Sequence, residues 1–91
     1  MVKVILPSVL RSVTGGVKET EFAASTLGEV IAKLADEFGE AFSQRFLDAE
    51  GNPTRLLNIF VNGKNARFLE NLDTALHNDD EITILPAIGG G

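Results

Sequence analysis

The sequence of 91 residues contains no cysteine. This absence excludes disulfide bonds, zinc–thiolate sites and thiol nucleophiles, and it also excludes a persulfide carried on the chain itself. Any sulfur chemistry in which the protein takes part must therefore use another atom.

Side chains that commonly carry catalysis or bind metals are also scarce. His77 is the only histidine, and no metal co-ligand lies at a recognisable spacing from it, which favours a surface or turn residue. The serines lack the context of a nucleophile elbow. Asp79, Asp80 and Glu81 form an acidic cluster that is typical of a solvated turn before a strand rather than of a calcium loop. We therefore expect no catalytic residue, no metal site and no bound cofactor.

Long hydrophobic runs and an excess of positive charge are missing as well. Thirteen acidic and eight basic residues give a net charge of −5, and such a surface repels a phosphate backbone, so a nucleic acid is not an expected partner. The apolar start MVKVILPSVL is interrupted by Pro7 and lacks the small-residue cleavage site of a signal peptide. No run approaches the length of a membrane span, so we expect no membrane association and a cytoplasmic location.

The length and the hydrophobic content of 44% allow one hydrophobic core. Val2, Val4 and Leu6 alternate with their neighbours at the period of a half-buried strand. The segment Thr14–Gly16 supplies glycines that can turn the chain at positive φ before a second, more polar strand in residues 17–24. The pattern predicts an opening hairpin with a loose loop.

A change of period marks a helix after this hairpin. Thr26 and Glu29 have the spacing of a capping box, and Gly39 is placed to end the helix. The apolar residues that fall on one face are Leu27, Val30, Ile31, Leu34 and Phe38.

Shorter elements follow in the second half of the chain. Residues 40–47 are amphipathic and predict a short helix or a helical turn. Asn62-Gly63 after an apolar run predicts a tight hairpin turn, residues 69–80 form a connection with one helical turn, and the last strand, Glu81–Leu85, stops at Pro86. The order strand, strand, helix, strand, short strand, strand predicts an α+β roll, with a mixed sheet of four to five strands packed on one main helix. We expect one domain in residues 1–86 and a flexible glycine-rich tail in residues 87–91.

The chain ends in three glycines directly after the last strand. Glycine loses more conformational freedom on ordering than other residues, so Gly89, Gly90 and Gly91 are either tolerated or used. A tail without side chains can pass through a narrow channel and present its α-carboxylate in another protein's active site. ATP would have to activate this carboxylate as an acyl-adenylate, from which a sulfur nucleophile could displace AMP and leave a thiocarboxylate. The alternative is a frayed end, which needs no function.

Several segments resemble the MoaD/ThiS family of ubiquitin-like sulfur carriers, which have the β-grasp fold. They are the strand VKVILP, the helix start TLGEVIAKL, the hairpin NIFVNG and the end NDDEITILPAIGGG. The resemblance implies that an E1-like adenylating and sulfurtransferase enzyme uses ATP to convert Gly91 to a thiocarboxylate, with Gly90 completing a diglycine. It also implies a protein co-substrate rather than an enzyme.

Two positions depart from the pattern of this family. Gly89 stands where relatives often have another small residue, which makes the tail more flexible. Asp79 stands where relatives usually have glycine, and aspartate tolerates the left-handed conformation better than most residues do, so we expect the turn to be kept.

The resemblance also bears on which biosynthetic pathway receives the sulfur. The segment LNIFVNGKNARF and the length over 90 residues look most like the carriers that supply sulfide for cysteine biosynthesis. In that case a PLP-dependent cysteine synthase accepts the sulfur, and a metalloprotease of the JAMM type removes the added cysteine. Two alternatives stay open. The chain could be the small subunit of molybdopterin synthase, with its tail in the large subunit, or a ubiquitin-like modifier that forms isopeptide bonds through Gly91.

Strand alternation predicts a partner-docking surface on the sheet face away from the helix. If the neighbouring valines and isoleucines point inward, Ile5, Phe60 and Leu85 point outward close to the tail, where Ile88 adds a further apolar side chain. An exposed aromatic beside aliphatic residues is typical of an interface centre. The alternative is that loop residues of the chain itself cover Phe60.

Overall fold

Five strands and three α-helices make up the part of the chain that the structure, a computed structural model, describes, which is residues 1–50, 53–54 and 57–86. Single 3-10 turns lie at Ser8–Leu10, Ala66–Phe68 and Asn71–Asp73. In chain order, the strands and helices are β1 (Val2–Ile5), α1 (Arg11–Thr14), β2 (Glu19–Phe22), α2 (Leu27–Phe38), α3 (Glu40–Phe46), β3 (Leu57–Val61), β4 (Lys64–Asn65) and β5 (Glu81–Pro86).

The strands form one mixed sheet in the order β2-β1-β5-β3-β4. β1 and β2 are antiparallel, β1 and β5 are parallel, and β3 is antiparallel to both β5 and β4. The predicted single mixed sheet is therefore confirmed. Its central strand, β5, is the last strand along the described part of the chain.

One face of this sheet is buried. Every second residue of the three central strands contributes to a single hydrophobic core, together with buried residues of α2 and α3. The alternation expected from the sequence is confirmed, and the inward-facing residues that it named are Val2, Val4, Ile59, Val61, Ile82 and Ile84.

Helix α2 starts and ends at the predicted residues. The Thr26 side chain accepts a hydrogen bond from the backbone N–H of Glu29 at 3.2 Å, and Gly39 follows the last helical residue with a φ of 80°. The second half of the expected capping box differs, because the Glu29 carboxylate accepts from the Ser25 hydroxyl. Four of the five residues predicted on the apolar face are buried, and Phe38 is partly buried.

Helix α3 is the short helix expected after Gly39. Its Phe42 and Phe46 are fully buried, and their rings stack with centroids 5.0 Å apart. Phe38 of α2 lies against Phe42 with centroids 5.7 Å apart. These rings extend the hydrophobic core, and buried aromatic rings contribute large apolar areas to it.

The connection between β1 and β2 differs from the expected loose loop. It contains a 3-10 turn and the four-residue helix α1, after which Gly15 has a left-handed φ of 68°. Leu10 and Thr14 are buried there. These two residues are one helical turn apart, but a single turn is too short to show a period in the sequence. Leu10 belongs to the hydrophobic core, and the buried Thr14 hydroxyl donates to the backbone carbonyl of Val17 at 3.2 Å, so both residues stabilise this segment.

The turn of the β3–β4 hairpin lies where Asn62-Gly63 predicted it, with φ values of 50° and 86°. Asp79 also adopts the left-handed conformation, with a φ of 72°, so the turn expected at this position is present. The last strand runs one residue beyond the prediction, to Pro86, whose register partner is Leu57. Proline cannot donate to a ladder, but its carbonyl can still accept.

Candidate functional site

The candidate site begins where the chain leaves the sheet. β5 lies between β1 and β3, and its last residue, Pro86, is paired with Leu57. The tail therefore follows a central strand that is paired on both edges. Ile88, Gly89, Gly90 and Gly91 lie outside the described residues, and their predicted roles stay predictions.

The sheet face away from α2, which we call the outer face, carries the predicted docking residues. Thr83 of the central strand is the register partner of both Ile5 and Phe60, so these two side chains flank it from the neighbouring strands. Leu85 lies two residues further along β5 on the same face. The structure thus brings together Ile5, Phe60 and Leu85, which the sequence predicted only from strand alternation.

The exposure of these three side chains suits an interface. Leu85 is 45% exposed, and Ile5 and Phe60 are half-buried. Phe60 is therefore neither a core residue nor a fully covered one. Its orientation agrees with the prediction, while its role in docking remains a prediction.

The part of the outer face farther from the tail is charged. Lys3 lies between Glu21 of β2 and Glu81 of β5 in the register of the sheet, and its ammonium group forms a salt bridge of 3.2 Å with Glu19. The hydrogen bond to Glu19, followed by the attraction of the same carboxylate, raises the pKa of Lys3. This group stays protonated at any physiological pH.

A polar network joins the β3–β4 turn to the start of β5. The Asp80 carboxylate accepts from the Asn62 side-chain amide at 2.9 Å and from the backbone N–H of His77 at 2.8 Å. The Asn62 side-chain oxygen in turn accepts from the backbone N–H of Glu81 at 2.9 Å. The sequence identified this acidic cluster as a turn but not the contact with Asn62, because the two residues are far apart in the chain.

We expect the substitution Asp80→Asn to lower the free energy of unfolding by about 1–2 kcal/mol at neutral pH, because an amide nitrogen cannot accept a hydrogen bond. The matched control is Asp79→Asn, which removes the same charge from an exposed residue whose left-handed φ of 72° suits asparagine. Chemical denaturation measures both variants. Equal costs for the two substitutions would show that the network adds nothing to stability.

The same pair of variants has an expected pH dependence. Hydrogen bonds from the His77 backbone N–H and then from Asn62 lower the pKa of Asp80. A lowered folded-state pKa gives stability that is fully present above the ordinary aspartate pKa of about 3.9 and is lost as the pH falls through the folded-state pKa. The cost of Asp80→Asn should therefore be present in full at about pH 5 and shrink below about pH 4. A cost that persists at lower pH would contradict this assignment.

The described residues also bear on whether the chain has a metal site or a membrane span. Among residues 1–50, 53–54 and 57–86, no group of three or more histidine, cysteine, aspartate or glutamate side chains is placed to hold a metal ion. His77 lies at the surface, with its Nδ1 3.8 Å from an Asp80 oxygen. In the same described ranges, no helix combines the length and the apolar character that crossing a bilayer requires.

Comparisons with known proteins agree with the fold. The sequence model of the ThiS family matches residues 4–91. CysO of Mycobacterium tuberculosis, described as a sulfur carrier protein, is 40% identical over an alignment of 92 positions that covers 99% of this chain and 98% of that protein. Its crystal structure superposes with a TM-score of 0.85 at 39% identity, covering 97% of this chain and all of the other.

Two further solved structures resemble the chain. CysO in the BexX/CysO complex of Amycolatopsis orientalis has a TM-score of 0.85 and 33% identity, with full coverage of both chains. The small archaeal modifier protein 1 of Methanosarcina acetivorans has a TM-score of 0.79 and 34% identity, covering 99% of this chain and 95% of that one. The arrangement of sheet and helices is thus the ubiquitin-like β-grasp fold that the sequence resemblance implied.

Proposed function

This chain belongs to the ThiS family, and on that premise we propose that it is a sulfur carrier whose working group is the α-carboxylate of Gly91. The observation that carries this proposal is the extent of the family match, which runs through residue 91 and so includes the glycine tail. The chain is a protein co-substrate rather than an enzyme.

The proposed chemistry has two steps, and both take place in an E1-like activating enzyme that uses ATP. A carboxylate oxygen of Gly91 attacks the α-phosphorus of ATP, which gives an acyl-adenylate and releases pyrophosphate. A sulfide equivalent from a donor then attacks the carbonyl carbon, and the C–O bond to AMP breaks. The product is a thiocarboxylate, and the chain itself binds no cofactor during the cycle.

The fold supports this use of the tail in two ways. Since β5 is paired on both sides, the tail leaves from a rigid strand, which limits the positions that its carboxylate can reach. Ile5, Phe60 and Leu85 lie on the outer face near the point where the tail leaves. We assign this apolar surface to docking of the activating enzyme, and Ile88 is kept as a contact predicted from the sequence. The supply of ATP places the carrier in the cytoplasm.

We favour cysteine biosynthesis as the receiving pathway. The support is the identity of 40% with CysO of M. tuberculosis over nearly the whole of both chains. A PLP-dependent cysteine synthase would accept the sulfur, and a JAMM-type metalloprotease would release the cysteine from the chain. The small subunit of molybdopterin synthase remains the alternative within the same chemical class.

A second candidate function is protein modification, in which the activated Gly91 forms isopeptide bonds with lysine side chains. The likeness to the small archaeal modifier protein 1 of M. acetivorans favours it. Carrier and modifier share the same activated intermediate, so the products made from that intermediate distinguish them.

Intact-mass analysis of the full-length chain from its native host tests these alternatives. We expect a species heavier than the unmodified chain by the difference between a sulfur and an oxygen atom, and a second species that carries one cysteine. Covalent conjugates of high mass without either species would indicate a modifier. A chain that shows only its unmodified mass, even after incubation with ATP, sulfide and the activating enzymes of its host, would contradict the carrier function.

A further inference from the structure

The outer face is divided between an apolar end and an anionic end. Ile5, Phe60 and Leu85 lie toward the tail, whereas Glu21, Lys3 and Glu81 form a row at the opposite end. Glu81 begins β5, Leu85 lies four residues later, and Ile5 and Phe60 flank Thr83 midway between them. At the rise of an extended strand, the charged row is therefore about 7 Å from Ile5 and Phe60 along the strands and about 13 Å from Leu85.

The anionic end is incompletely neutralised. Lys3 is paired with Glu19 at 3.2 Å, and among the residues that the structure describes neither Glu21 nor Glu81 forms a salt bridge. All three glutamates are exposed. Three carboxylates against one ammonium group leave an excess of two negative charges on the strands of this face.

Exposed carboxylates of this kind contribute little to folding, because a surface ion pair gains little energy in water. They do matter for association, since rim charges steer a partner of opposite sign and set its orientation. A second copy of the chain would bring the same anionic row and a lysine already engaged with Glu19. The charge pattern therefore fits a basic partner better than a self-association.

We propose that the activating enzyme contacts this face with two surfaces, an apolar patch beside the channel that receives the tail and a cluster of arginine or lysine side chains roughly 7 to 13 Å from it. The basic cluster pairs with Glu21 and Glu81, and the apolar patch covers Phe60 and Leu85. This inference rests on the proposed function. It adds that the docking orientation, and hence delivery of the tail, depends on charge.

The test compares two charge-reversal variants of the full-length chain. Glu21→Lys combined with Glu81→Lys reverses the proposed contact. Asp36→Lys combined with Glu37→Lys makes the same change in net charge at exposed residues of α2, on the other side of the molecule. The probe is the purified adenylating enzyme of the same host that catalyses ATP–pyrophosphate exchange with the unaltered chain. Binding is measured at about 50 mM and about 500 mM salt, where the Debye length falls from well over 10 Å to a few Å.

We expect the outer-face variant to bind about tenfold more weakly at low salt, mainly through slower association, and this loss to shrink to within about threefold at high salt. The α2 variant should stay within about threefold of the unaltered chain under both conditions. The milder pair Glu21→Gln and Glu81→Gln should show an intermediate loss, which guards against misfolding of the lysine variant.

Three results would overturn the inference. In the first, the outer-face and α2 variants both bind as tightly as the unaltered chain at low salt. In the second, both variants lose binding equally, and in the third the loss in the outer-face variant does not depend on salt. Failure of the proposed function has a different signature, since no adenylating enzyme of the host would then catalyse exchange with the unaltered chain.

Discussion

A chain that lacks Gly90 and Gly91 is expected to form no thiocarboxylate above background, while its free energy of unfolding changes by no more than about 0.5 kcal/mol. The deletion removes no apolar side chain, so it should cost the core nothing. It shortens the reach of the carboxylate by roughly 7 Å at extended-chain spacing, whereas the reacting atoms must be held about 3 to 3.5 Å apart. Intact-mass analysis after incubation with ATP, sulfide and the cognate activating enzyme measures the thiocarboxylate, and denaturant titration measures the stability.

Two control variants separate the reasons for this loss. A residue added after Gly91 converts the reactive carboxylate to an amide, so the extended chain should also be inactive unless a protease trims it. Gly90→Ala combined with Gly91→Ala keeps the length and the carboxylate but adds two Cβ atoms, so its activity reports how narrow the receiving channel is. If the truncated chain were thiocarboxylated as readily as the complete one, the carrier proposal would be wrong and the glycines would be a frayed end.

Replacement of Phe60 by serine is expected to weaken binding of the activating enzyme by about 30-fold or more, which corresponds to the loss of roughly 2 kcal/mol at an aromatic hot spot. Phe60 lies next to Thr83 on the outer face and is half-buried. The loss of stability should therefore stay well below the roughly 3–5 kcal/mol that truncation of a core phenylalanine costs. Titration calorimetry with the purified enzyme measures the binding, and chemical denaturation measures the stability.

Phe68→Ser is the matched control for this substitution. Phe68 is 87% exposed, more than Phe60. It differs from Phe60 in its location, because it lines a shallow depression with Thr74 and Ala75. These two residues contact the start of α2, through a hydrogen bond from Leu27 to Thr74 and a bridge between Thr26 and Ala75. We therefore expect Phe68→Ser to leave binding unchanged. Equal weakening by both substitutions would place the interface elsewhere than on the outer face.

The sequence predicted the elements whose signals are local. The period of α2, its first residue after Thr26 and its end at Gly39 are contained within a segment of about four turns. The Asn62-Gly63 turn is likewise a dipeptide signal, because both residues must adopt positive φ. Strand alternation was enough to predict that Ile5, Phe60 and Leu85 point away from the core, and the glycine tail could be recognised without any structure.

Contacts between distant residues could not be predicted in this way. The sequence did not indicate that Thr83 lies between Ile5 and Phe60, since this depends on the strand order and on two registers. The same holds for the hydrogen bond from the Asn62 amide to the Asp80 carboxylate, two residues that are 18 positions apart, and for the salt bridge between Lys3 and Glu19. The short helix α1 also depends on burial of Leu10 and Thr14 rather than on a visible period.

The sequence by itself thus determined the kinds of elements, the faces of the strands and the glycine-rich composition of the tail, because backbone propensity and side-chain parity act between near neighbours. Only the tertiary structure decided which residues share the outer face and where its charges lie. Pairing of β5 between β1 and β3 joins segments from both ends of the chain, and the free energy that selects this pairing comes from burial in the common core rather than from any local signal.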